Sequence, residues 1–161
     1  MEPSACRAEL ARLIPAETDS LAELARLLDR EHQHLVANDV VALESAIRER
    51  QQCVARIVRV DAERSALCRK LKHTPDAKGL EALLRWCDAQ GTLAAGWARC
   101  AELARKCREL NDRNGALVGA RLKHVQGRLA VLLSSRGDTV AYGKKGGYGA
   151  PNVGRVVATE A

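Results

Sequence analysis

The side chains of this 161-residue chain best suited to chemistry are six cysteines (Cys6, Cys53, Cys68, Cys87, Cys100 and Cys107) and four histidines (His32, His34, His73 and His124). Thiolates and imidazoles hold zinc or act as nucleophile and base, but either task needs them brought together. No two cysteines stand in a Cys-x-x-Cys pair. Cys100 and Cys107 share a helix face at one heptad, yet lie about two turns apart, too far for one metal ion. His32 and His34, two residues apart, point to different sides of a helix. The glycines from Gly143 to Gly149 neither follow a strand nor open a helix, so they make no phosphate cradle. We therefore expect no catalytic residue, no metal site and no cofactor, and read the chain as a non-enzyme whose cysteines act as small hydrophobes.

What remains is an architecture for binding. Apolar residues make up 47% of the chain but are mostly Leu, Ala and Val, with no Phe, two Trp and two Tyr, the palette of a helical bundle. The stretch before Pro15 has no continuous apolar run, and none elsewhere reaches the ~20 residues of a membrane span. A reduced, cytoplasmic protein without membrane insertion is expected.

The apolar spacing predicts an all-α fold. Residues 3–14 suit a short helix that Pro15 interrupts, so a first main helix is expected over 15–37, with Ile14, Leu21, Leu28 and Leu35 recurring at sevens. Asn38 and Asp39 mark a tight reversal into a second helix over 40–72, its antiparallel neighbour. Thr74, Pro75 and Gly79 mark a loop. A short connecting helix over 80–89 and a long helix over 91–134 follow, giving a three-helix, coiled-coil-like bundle over 1–134. Residues 135–161 hold both tyrosines and many glycines without helical period, and are expected to form a flexible tail.

The long last helix carries an unusual phrase, Leu110-Asn111-Asp112-Arg113-Asn114-Gly115. Trp97, Ala104, Asn111, Val118, Val125 and Leu132 recur at sevens, with Leu103, Leu110 and Leu117 in a neighbouring register. On that spacing Asn111 is expected to be buried and to set the register of the bundle. Gly115, Gly119 and Gly127 each cost helix stability relative to Ala, by roughly 1 kcal/mol when interior. Either they admit a second helix closely, or they keep residues 115–133 loose until a partner orders them. Gly115 is the expected joint between a docked portion, with Trp97, Leu103, Cys107 and Leu110 packed on the hairpin, and a weaker arm.

A basic surplus, 26 Lys and Arg against 20 Asp and Glu, offers an alternative. Arg99, Arg105, Lys106, Arg108, Arg113, Arg121, Lys123 and Arg128 line the last helix, so a basic helical nucleic-acid-binding protein is the runner-up reading. Glu102, Glu109 and Asp112 interrupt that series and no stacking aromatics interleave with it, so a solvated face and no nucleic acid are expected.

Three elements in order, Trp97, then Leu110-Asn111-x-x-Asn114-Gly115 with its apolar continuation, then Tyr142-Gly143-x-x-Gly146, resemble the FlgN-type flagellar export chaperones. The resemblance covers about residues 97–146. It implies a cytoplasmic type III export chaperone for hook–filament junction proteins of the FlgK and FlgL type. It further implies contact with the FlhA-type export gate and a FliJ-type escort. Transferred to this chain, client contact falls on Leu117, Val118, Leu122, Val125, Leu129 and Leu132. Tyr142 and Gly143 match the tail element and become the candidates for docking at the gate.

Overall fold

Asn38 and Asp39 divide the labour of the first reversal. Asn38 adopts the left-handed conformation (φ 58°) that ends one helix, its N–H donating to the carbonyls of His34 and Leu35. The Asp39 carboxylate accepts the Ala42 N–H at 3.0 Å and so caps the next helix. The computed structural model describes residues 1–135, and the tail expected over 135–161 lies outside these but for Ser135. Four helices make up the described chain, α1 (Pro3–Ala37), α2 (Val40–Lys70), α3 (Ala77–Cys87) and α4 (Thr92–Ser135), and the described fold is all-α. Residues Met1–Lys123 form one compact unit. A second unit begins at His124.

α1 does not restart at Pro15. It runs unbroken from Pro3, with Pro15 in its interior. An interior proline removes one ladder hydrogen bond and costs about 3 kcal/mol. Cys6, Leu10, Leu13 and Ile14, all buried, sit on the turns before it. Continuing the helix keeps these side chains in the core, and their burial outweighs the local cost.

α2 runs antiparallel to α1. Arg12–Glu63, Glu17–Arg64, Glu23–Arg56 and Arg30–Glu49 pair across the two helices, α2 partners generally falling as α1 numbers rise. α2 ends at Lys70, where Lys72 takes a positive φ of 61° and the His73 N–H returns to the Cys68 carbonyl. Asp76 caps α3. Its carboxylate accepts both the Gly79 N–H (2.8 Å) and the Thr74 hydroxyl (2.7 Å). α3 is also more than a connector, because Leu80 and Leu83 are fully buried beside Cys6, Leu10, Ile14, Leu67, Cys68 and Cys87.

α4 then runs parallel to α1 in near-constant register. Thr92 accepts from Arg7, Cys107 donates to the Leu21 carbonyl, Asn114 to that of Leu28, and Arg121 to that of Val36. Both partners climb together, so α4 keeps its neighbour until α1 ends at Ala37. Leu21, Ala25, Leu28, Cys100 and Cys107 form the second core cluster, flanked by Leu103 and Leu110, and half-buried Trp97 packs against both clusters.

Candidate interaction surface

The buried side of α4 is a strict heptad. Cys100, Leu103, Cys107, Leu110, Asn114, Leu117 and Arg121 alternate at spacings of three and four, and all are buried or half-buried. Trp97, Leu103, Cys107 and Leu110 pack on the hairpin as expected. Arg64 lies over the Trp97 ring, its guanidinium carbon 5.1 Å from the centroid. Arg64 is itself buried and paired with Glu17 at 3.0 Å and with Asp61. Burial pushes the Glu17 carboxyl above its ordinary range, against the pull of the Arg64 guanidinium.

Asn111 does not take the buried, register-setting place expected of it. Asn111 is exposed, with Arg50 donating to its side-chain oxygen at 3.5 Å. Asn114 is buried, its amide donating to the Leu28 carbonyl at 2.8 Å. Its Oδ1 lies 3.0 Å from His32 Nδ1, which must then donate. The reason is a shift of register: the row from Trp97 through Ala104 to Asn111 borders the seam, while the row through Cys100 and Cys107 to Asn114 occupies it. Polar Asn114 ties the two parallel helices at one offset, the part assigned to Asn111.

Gly115 is no break either. α4 is continuous through it, and Cβ atoms at Gly115, Gly119 or Gly127 would meet nothing within 4 Å. The close helix approach occurs instead at Gly96, where a Cβ would come 3.3 Å from Ile14 Cγ2. Docking of α4 continues past Gly115 to Leu117 and Arg121. Leu117, expected on the client face, is half-buried on the docked seam.

From Val118 a second heptad row is exposed. Val118, Leu122, Val125, Leu129 and Leu132 follow one another at spacings of four and three, and each is between 49% and 61% exposed. In the first unit, Val118 and Leu122 are exposed, each one position beyond the half-buried Leu117 and Arg121. In the second, Val125, Leu129, Val131, Leu132 and Leu133 are exposed. Val36, Val40 and Val41, at the α1–α2 turn, are exposed as well, beside the Asn38 and Val36 oxygens that Arg121 contacts. The sequence reading missed these three, whose signal was an apolar residue on each side of a turn. Tyr142 and Gly143 lie outside the described residues.

All six thiols are free and buried. Burial raises Cys6 to about 12, aided by the neighbouring Cys87, and Cys100 to about 11. Such thiols are poor nucleophiles near neutrality. Among the described residues no three His, Cys, Asp or Glu side chains converge as metal ligands, and no helix is long and apolar enough to cross a membrane. A cleft of about 680 Å³ between α3 and α4 is floored by Leu84, Ala94, Trp97 and Ala98 and rimmed by charge. Its buried carboxylate, Asp88, is already taken by the Leu93 N–H, Thr92 and Arg7.

Seven-residue periodicity thus appears twice on α4, once buried in the bundle and once open. The chain matches no curated protein and no solved structure. The family model described as FlgN protein matches residues 1–150, a span that includes the bundle, the open row and Tyr142, and the chain therefore belongs to the FlgN family of flagellar export chaperones.

Proposed function

We propose that the chain holds hook–filament junction proteins in the cytoplasm and carries them to the export gate, gripping an amphipathic helical segment of the client with the open row of α4. One observation carries this reading. Val118, Leu122, Val125, Leu129 and Leu132 repeat the spacing that packs the rest of α4 on α1, yet they are exposed. A helix offered such a row buries it in the same knobs-into-holes manner. Leu117 belongs to the framework on this reading, and the glycines beside the row leave room for close approach. Tyr142 and Gly143 remain the candidates for gate docking, with the escort protein as a further contact. Replacing Leu122, Val125 and Leu129 together with Ala is expected to abolish co-purification of junction protein while circular dichroism stays unchanged. Retained co-purification removes the client row. Tyr142→Ala is expected to spare client capture and weaken gate binding.

A further inference from the structure

The open row has an electrical edge. Between Arg113 and Ser135, α4 contains Arg113, Arg121, Lys123 and Arg128 and no Asp or Glu. Arg113 is neutralised by Asp29 at 2.9 Å. Arg121 donates to uncharged acceptors, the Asn38 side-chain oxygen and the Val36 carbonyl, at 3.2 and 3.3 Å. Among the described residues no carboxylate pairs with Arg121, Lys123 or Arg128.

Two of these cations stand at particular places in the heptad. Arg121 immediately precedes Leu122, and Arg128 immediately precedes Leu129. These are the positions that border a two-helix seam and select the partner by charge. The opposite border, the residues following Val118, Val125 and Leu132, is Gly119, Gln126 and Leu133, without charge. One border of the row is therefore arginine and the other neutral.

We infer that the open row of α4 takes a partner helix whose apolar stripe is edged on one side by acidic residues, which pair with Arg121 and Arg128. The inference rests on the client reading above and gives that client its chemistry. A second copy of the chain fits poorly. Its own row offers no carboxylate, so an antiparallel pair sets arginine against arginine and a parallel pair sets arginine against glycine and glutamine. A nucleic acid would meet the cations but leave five apolar side chains in water.

The test uses the full chain and three synthetic helical peptides that share one apolar heptad stripe and differ at one edge, carrying Glu, Gln or Lys. Fluorescence titration at low salt is expected to give at least tenfold tighter binding of the Glu-edged peptide than of the Lys-edged one, the gap narrowing as salt rises. Arg128→Glu, at an exposed position, is expected to abolish or reverse that preference without altering helicity. Equal affinity for the Glu and Lys peptides, a preference indifferent to Arg128→Glu, concentration-dependent dimerisation through the row, or tighter binding of duplex DNA than of any peptide each overturns the inference. Junction-protein co-purification is measured in parallel. If it persists and depends on Leu122, Val125 and Leu129 while the peptides show no charge preference, the inference falls and the client reading stands. If it is absent, the client reading falls.

Discussion

At Gly79 a Cβ would lie 1.9 Å from the Thr74 carbonyl oxygen and 2.9 Å from its hydroxyl. The same glycine donates its N–H to Asp76, so the cap of α3 and the loop before it depend on one missing methyl group. Gly79→Ala is expected to destabilise the bundle by about 1–3 kcal/mol, read as a lower Tm, since the nearest obstructing group, the Thr74 carbonyl, is backbone and cannot swing aside. An unchanged Tm would mean that the loop has a second arrangement. The buried thiols carry a pH prediction. Cys6 and Cys100 are raised from 9.0 to about 12 and about 11 because burial disfavours the thiolate. A raised folded value leaves stability intact below pH 9 and erodes it from there up to about pH 12, as the unfolded chain releases protons that the folded chain retains. Denaturant midpoints are expected to fall through that window, and less steeply in Cys100→Ala. Parallel curves would exclude Cys100 from the effect. Residue types alone marked the cysteines as buried hydrophobes, whereas the need for glycine at 79 is visible only once Thr74 is folded over it.

Among the elements, α1 shows how packing overrides a local signal. Pro15 is exposed and interior, and the helix passes through it because Cys6, Leu10 and Ile14 reach the core on its far side. Pro15→Ala restores a backbone donor at no cost in buried surface. It is expected to stabilise the chain by about 1–3 kcal/mol in thermal unfolding. A destabilised variant would mean that the core is shaped around the proline. α4 teaches the complementary lesson about register. Its sevens were legible, but they form two rows, and periodicity does not say which row faces inward. Asn111 and Asn114 were distinguished by the offset between α1 and α4, a quantity that belongs to neither helix alone.

At the scale of the molecule, α1 and α4 share one long seam within the first unit. The two parallel helices stay in register from Arg7 with Thr92 to Val36 with Arg121, and α1 then ends at Ala37 while α4 continues to Ser135. Hydrogen exchange is expected to follow this division. Amides of α4 up to about Arg121 should exchange with global unfolding, and those after Lys123 much faster, with Gly127 further weakening the second stretch. Uniform protection along α4 would contradict the division.

The helical class, the reversal at Asn38 and Asp39, the long amphipathic α4 and the three elements resembling the FlgN family were legible in the chain, because caps, heptads and turn residues act over a few neighbours. Tertiary structure alone decided that α1 continues through Pro15 and that α3 belongs to the core. It also decided that Asn114 is the buried asparagine and that Val118 and Leu122 stand exposed beside the seam. These depend on where one helix ends beside another, and the free energy that settles them is the burial of surfaces far apart in the chain.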